Sequence, residues 1–254
     1  MLSGKVALIT GGAGDLGNEM ALHLAQAGAD IVLWDVRNEA DSRDQIGRVE
    51  ATGKHVLYQQ VDVRDRPAVD RAINELVERL GRIDIVCVNA GIVESAPFLE
   101  ITPESWQRHL DINLTGAFHV AQSAARKMVA LQIQGRILFT STWVSEIPWP
   151  EITAYTSSKA GLNMLMKQAA RELAPYGIRA NAVLPGIVRA GLAGRQMEED
   201  PAYAARVGKV IPLGEPGTAV EIADAIVYLA SPQTAYMTGT LLRLDGGCSL
   251  FYIE

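Results

Sequence analysis

Short apolar runs rich in β-branched residues alternate with stretches of helical period along this chain. The runs are Val6–Thr10, Ile31–Asp35, His55–Val61, Ile83–Asn89, Arg136–Thr142, Arg179–Leu184 and Thr240–Leu244. Nearly continuous apolar runs of this length predict strands buried on both faces, as in a parallel sheet covered by helices. Between them, apolar residues recur at helical spacing over Leu16–Gly28, Arg66–Gly81, Thr102–Gln132, Ala154–Tyr176 and Thr218–Ala230. Two of these stretches open with start signals. Thr102, Pro103 and Glu104 supply a cap, a proline at the first helical position and an acid in the first turn. Thr218 stands three residues before Glu221, the spacing of a capping box. The strand–helix rhythm, without internal repeat or linker, predicts one doubly wound α/β domain over residues 1–254: seven parallel strands with helices on both faces. Only 187–215 has weak periodicity. It carries Gly191, Gly194, Gly208 and Gly214 with Pro201 and Pro212, and reads as a mobile segment covering the substrate.

Composition narrows the function classes. A chain of 254 residues can bury one large core. Its formal charge of −6, with both signs interspersed, leaves no basic footprint for nucleic acid or an anionic membrane. Two cysteines, Cys87 and Cys248, make neither a disulfide framework nor a zinc spacing. His23, His55, His109 and His119 fall in separate elements without ligand spacing, so no metal is expected. The N-terminal MLSGKVALIT runs directly into a strand pattern, and no long apolar span follows; a soluble, cytoplasmic protein is the expectation.

The candidate chemistry begins after the first strand, at Thr10-Gly11-Gly12-Ala13-Gly14-Asp15-Leu16-Gly17. A strand that ends in glycines at a helix start lets backbone approach a diphosphate, whose charge meets unpaired N–H groups and the positive end of the helix dipole. An acid, Asp35, closes the second strand about twenty residues on. A carboxylate there accepts hydrogen bonds from both ribose hydroxyls of NAD and repels the 2′-phosphate of NADP, so NAD is the expected cofactor. Arg37 lies two residues further, but no Arg or Lys sits between Thr10 and Gly17 to help it hold a phosphate.

Tyr155 and Lys159 are four residues apart and share one helix face. A phenol ordinarily titrates near pH 10; bringing it to about 7 takes roughly 4 kcal/mol of differential stabilisation, which an ammonium and a cationic nicotinamide in a partly dry cleft can supply. Here the chain resembles the short-chain dehydrogenase/reductase family along essentially its whole length. The resemblance is carried by the glycine turn, Asp62 with Val63, Asn89-Ala90-Gly91, Asn113, the hydroxyl pair Ser141 and Thr142, Tyr155 with Lys159, Pro185-Gly186 and Asp245-Gly246-Gly247. It implies a Rossmann-type fold and an NAD-dependent alcohol dehydrogenase or ketone reductase, with Tyr155 as acid/base. Lys159 would lower the tyrosine's pKa and hold the nicotinamide ribose, and Asn113 would anchor a water on the proton path. Thr10, Gly11, Gly14, Asp15, Leu16 and Gly17 would hold the diphosphate; Asp62 and Val63 would meet the adenine; Asn89, Ala90 and Gly91 would line the adenosine ribose; Pro185, Gly186 and Val188 would wall the nicotinamide. A homotetramer is also implied, with 251–254 reaching a neighbouring subunit.

Three positions depart from the family pattern. Asp15 stands where the middle glycine of the turn is usual, placing a charge near the diphosphate. Thr142 stands thirteen residues before the tyrosine, where serine is usual; Ser141 is the alternative, and alternation along a strand lets only one of the two face the substrate. Ala190 replaces a threonine after Pro185-Gly186. For the substrate, Glu94, Ser95, Trp143, Glu146, Trp149, Glu151 and Arg189 are expected on loops at the cleft. Tryptophan faces beside acids suit a sugar, polyol or similar small hydroxy compound, although tryptophans also simply pack loops. Two other readings compete: an NADPH-dependent 3-oxoacyl reductase, and a nucleotide-binding scaffold that has lost catalysis.

Overall fold

A computed structural model describes residues 1–250. The seven strands are β1 (Val6–Thr10), β2 (Asp30–Asp35), β3 (Val56–Gln60), β4 (Ile85–Val88), β5 (Arg136–Thr140), β6 (Arg179–Pro185) and β7 (Leu241–Leu244). They form one parallel sheet in the order β3-β2-β1-β4-β5-β6-β7, within a residue or two of the predicted runs. Side chains alternate across it into two cores. Leu8, Val32, Val86 and Phe139 point to one face, under α3 (Arg66–Leu80), α5 (Ala117–Ala130) and α6 (Thr153–Leu173). Ile9, Leu33, Cys87 and Leu138 point to the other, under α1 (Asp15–Gln26) and α9 (Ala219–Ala230). Burial on both faces is why the strands read as unbroken apolar runs.

The structure differs from the sequence reading in three helical regions. A short helix, α2 (Arg43–Glu50), follows β2; it buries only Ile46 and Val49, too few apolar positions to set a visible period. The stretch 102–132 is not one helix. It divides into α4 (Pro103–Leu110) and α5 around a π-turn at Asp111–Gly116. A Cβ at Gly116 would lie 2.6 Å from Val63 Cγ2, so the helix passes the third crossover only because that residue has no side chain. The segment at 187–215 contains two helices, α7 (Gly191–Glu199) and α8 (Pro201–Val210). Asp200 caps α8 by accepting from Ala202 N at 2.9 Å, Pro201 fits its first position, and Val207 and Ile211 are buried beneath it. Residues 251–254, expected at a subunit contact, lie outside the described residues. Among the described residues no helix is long and apolar enough to cross a membrane.

At the amino end of the central strands, opposite the glycine turn, Asp84 ties β1 to β4. Its carboxylate is almost fully buried and accepts from Val6 N (3.0 Å), Lys5 Nζ (3.1 Å) and Arg82 Nε and Nη2 (both 2.7 Å). Burial alone would raise its pKa, but these bonds outweigh it and hold the carboxyl below its ordinary value. A depressed folded pKa contributes stability that is complete above the ordinary carboxylate pKa of about 4 and declines as pH falls toward the folded value. Asp84→Asn is therefore expected to cost about 3 kcal/mol in urea unfolding at pH 7, and the gap to wild type should narrow below about pH 4. A constant gap across that range would remove Asp84 as its source.

Candidate active site

The chain crosses over between β1 and β4, with β2 to one side and β5 to the other, so a crevice opens at their carboxyl ends. A cleft of about 810 Å³ occupies it. Gly11, Gly14, Asp15, Leu16 and Gly17 line one wall. A Cβ at Gly17 would fall 2.2 Å from the Gly11 carbonyl oxygen, so only glycine lets α1 start against the turn. Gly14 caps α1 without offering a side chain, which leaves the first N–H groups of the helix to a ligand. Asp15 is the first helical residue and needs no unusual backbone; its carboxylate accepts from Gly191 N at 2.8 Å. Thr10 is not a lining residue. It is fully buried, and its hydroxyl donates to Cys87 O and accepts from Asn89 N and Ala90 N, joining the first turn to the one after β4.

Asp35 lies at the end of β2, 8% exposed, with one carboxylate oxygen on Ala13 N (3.1 Å) and the other on Arg37 N (3.2 Å) and Nε (3.4 Å). Asp62 and Val63 follow β3 in the same cleft. Arg64 forks onto Asp62 at 2.6–3.0 Å and holds that carboxyl below its ordinary pKa, against the effect of burial. Asn89, Ala90 and Gly91 after β4, and Pro185, Gly186 and Val188 after β6, complete the walls. Arg37 and Arg64, each two residues after its acid, and Arg108 also line the cleft. The sequence weighed Arg37 as a phosphate partner; Arg64 and Arg108 gave no signal there.

Tyr155 and Lys159 enter from the first turns of α6, with Lys159 Nζ 5.8 Å from the centroid of the phenol ring. Lys159 is 4% exposed and donates to Thr140 O at 2.8 Å. Burial pushes Tyr155 up to about 12 and Lys159 down to about 8. Desolvation dominates, and the neighbouring Thr142 side chain pulls Tyr155 the other way. That proximity separates the two candidate hydroxyls. Thr142 faces the tyrosine, while Ser141 Oγ is buried without a partner and its N–H remains in the sheet on Val183 O (2.9 Å). Asn113 is 1% exposed and does not line the cleft. Its side chain accepts from Ile92 N (2.8 Å) and donates to Ile92 O (2.9 Å) and Ser158 Oγ (3.0 Å). The side chain expected to anchor a water is thus engaged with protein.

At the far end Trp143 and Trp149 meet edge to face, ring centroids 5.2 Å apart, and both line the cleft. The expected acids do not. Glu94 is bound by Arg108 and Ser105 Oγ, Glu146 by Arg243, and Glu151 is exposed on a left-handed backbone (φ 66°). Arg189 also lies outside, paired with Glu215 at 3.6 Å. The cleft instead takes Val93, Val144, Ile152 and Tyr203. Tyr203, Val207 and Ile211 recur at helical spacing behind the Asp200-Pro201 cap, a signal that could have placed α8 here. Among the described residues no group of three or more His, Cys, Asp or Glu side chains is placed to hold a metal.

Comparison with known proteins agrees with this geometry. A family model described as enoyl-(acyl carrier protein) reductase matches residues 11–249. The 3beta-hydroxysteroid dehydrogenase 1 of Eggerthella lenta is 34% identical over 250 residues, covering 98% of this chain and 95% of its own. The crystal structure of NAD⁺-bound xylitol dehydrogenase superposes with a TM-score of 0.92 at 32% identity, covering 97% of this chain and 99% of its own. A dehydrogenase from Agrobacterium tumefaciens with bound NADP superposes at 0.90 with 29% identity, covering 98% of each chain. With seven parallel strands, the glycine turn and the Thr142–Tyr155 pair in one crevice, the chain belongs to the short-chain dehydrogenase/reductase family and is an alcohol/ketone oxidoreductase of that type.

Proposed function

We propose that the chain uses NAD(H) to interconvert a secondary alcohol and its ketone, with Tyr155 as the acid/base. The observation that carries this reading is that Thr142, Tyr155 and a buried Lys159 converge at one end of a cleft whose other end holds Asp35. The cleft fits a dinucleotide: an uncapped helix start for the diphosphate, a carboxylate for the ribose, and the buried, partnerless Ser141 and Thr140 hydroxyls at the end where the nicotinamide would lie. When bound, NAD(H) supplies the hydride acceptor or donor and, oxidised, a positive ring. Tyr155 takes the alcohol proton in oxidation and returns it to the carbonyl oxygen in reduction, while the Thr142 hydroxyl fixes that oxygen. Burial keeps the phenol protonated at neutral pH, the form that ketone reduction consumes. Oxidation needs the phenolate, so its rate is expected to rise with pH. A flat profile where hydride transfer limits the rate would count against Tyr155. Thr142→Ala should lower kcat by about a hundredfold, and Ser141→Ala by less than about threefold; the reverse order would assign the role to Ser141.

NAD is favoured because the Asp35 carboxylate would lie against a 2′-phosphate, and because Arg37 and Arg64, the cations beside it and Asp62, are paired with Asp35 and Asp62. NADH should bind at least about tenfold more tightly than NADPH, a difference of roughly 1.4 kcal/mol, with Asp35→Ser narrowing it by freeing Arg37. Equal affinities would instead support the NADPH-linked 3-oxoacyl reductase reading.

The substrate reading shifts with the acids. Polyol hydroxyls have no free carboxylate to meet here, whereas Trp143, Trp149, Val144 and Ile152 offer apolar faces. A rigid, largely apolar cyclic alcohol fits better than a sugar or polyol. In an NADH-absorbance screen, cyclohexanol-type alcohols should exceed sugars and linear polyols in kcat/KM by about tenfold or more, the worth of one or two buried methylenes; a clear preference for polyols would reverse this assignment. The homotetramer implied by the family would also cover the exposed Phe98, Leu99, Phe118 and Met164.

A further inference from the structure

Asp15, the residue that departs from the glycine pattern, makes a contact the family motifs do not account for. Its carboxylate accepts a 2.8 Å hydrogen bond from the main-chain N–H of Gly191, 176 residues further along the chain. Gly191 begins α7 with φ of +57°, a backbone shape that glycine holds without steric cost. Gly14, Asp15 and Ala190 line both the main cleft and a second, polar cavity of about 300 Å³. The contact is therefore part of the wall between the two. Beyond Gly191, Met197, Val207 and Ile211 pack with Trp143, Trp149 and Tyr155, so the same segment roofs the alcohol end of the cleft. The remaining attachments at its root are weaker or lie upstream. Arg189 and Glu215 form an exposed pair at 3.6 Å, and Arg189 N bonds Gly217 O before the helix begins.

We propose that Asp15 is a positioning residue: its carboxylate clasps the root of α7 to the glycine-rich turn and so holds the roof over the alcohol end of the cleft. The charge that looks misplaced beside a diphosphate is engaged in a charge-assisted bond with a backbone donor. That the clasp exists is independent of the function proposed above; that it bears on alcohol binding rests on that function.

Hydrogen exchange on the full, ligand-free chain tests the clasp. Asp15→Ala should speed exchange of the amides at 191–199 by about tenfold while leaving β1 and β4 unchanged, and Asp15→Asn, which keeps an oxygen acceptor, should stay within about threefold of wild type. Wild-type exchange at 191–199 in Asp15→Ala overturns the proposal. So does equal acceleration in the central strands, which would make Asp15 a general support of the fold. In steady-state oxidation at saturating NAD, Asp15→Ala should raise KM for the alcohol several-fold, and Asp15→Asn should restore it; an unchanged KM overturns the coupling to the roof. Were the wild-type chain to oxidise no alcohol, the function reading would fail while the exchange result stood.

Discussion

The site depends on two ionisable groups held at the head of one helix, Lys159 buried and Tyr155 half-buried. Burial alone drives Tyr155 toward the neutral phenol and Lys159 toward the neutral amine, and both shifts are large, to about 12 and about 8. Such a pair is tolerated only where the backbone around it is fixed, because a buried ammonium needs an acceptor and a buried phenol needs a partner. Thr140 O meets the first need and the Thr142 hydroxyl the second, and both come from the carboxyl end of β5. The position of α6 against that strand end is therefore the constraint from which the rest of the cleft is built.

A chain of hydrogen bonds enforces that position. Ser158 Oγ donates to Tyr155 O at 2.7 Å and accepts from Asn113, which in turn grips both backbone groups of Ile92. The loop after β4, the π-turn and the first turn of α6 are thus bonded to one another. The π-turn makes this geometry available, since its extra residue swings Asn113 inward where a regular helix would carry it past. On the other side of the switch point the Thr10 hydroxyl does comparable work with three bonds between the turns after β1 and β4. Neither residue needs to touch a substrate to matter; each sets where the residues that do touch it are held.

The sheet was legible because each central strand is apolar on both faces, and the site because its motifs fall at strand ends, where open α/β sheets bind ligands. What escaped was information carried by pairing. Glu94, Glu146 and Arg189 look available as sequence, yet each is engaged by a partner from a distant element: Arg108, Arg243 and Glu215. No local pattern announces such a match. The helices of 187–215 were hidden by composition, since Gly194 and Gly208 sit inside them and lower their helical appearance. The π-turn was hidden for the opposite reason: the sequence around it has an uninterrupted helical period, and the closeness of Val63 that requires Gly116 at its end is a contact with a distant segment.

The three departures from the family pattern once supported a scaffold that binds a nucleotide without turning anything over. Each has a structural answer. Thr142 presents its hydroxyl to Tyr155 in the place where serine is usual, so the pair survives the substitution. Ala190 has an extended backbone at the N-cap of α7, and its N–H and carbonyl are bonded to Val188 and Gly194 without help from a side chain. Asp15 turns its carboxylate to Gly191 instead of into the turn. A decayed site loses partners one at a time and leaves polar groups stranded. Here Asp15 and Ala190 keep hydrogen-bond partners and Thr142 stays beside Tyr155 on the cleft. Partners retained at the altered positions are what a working cleft requires.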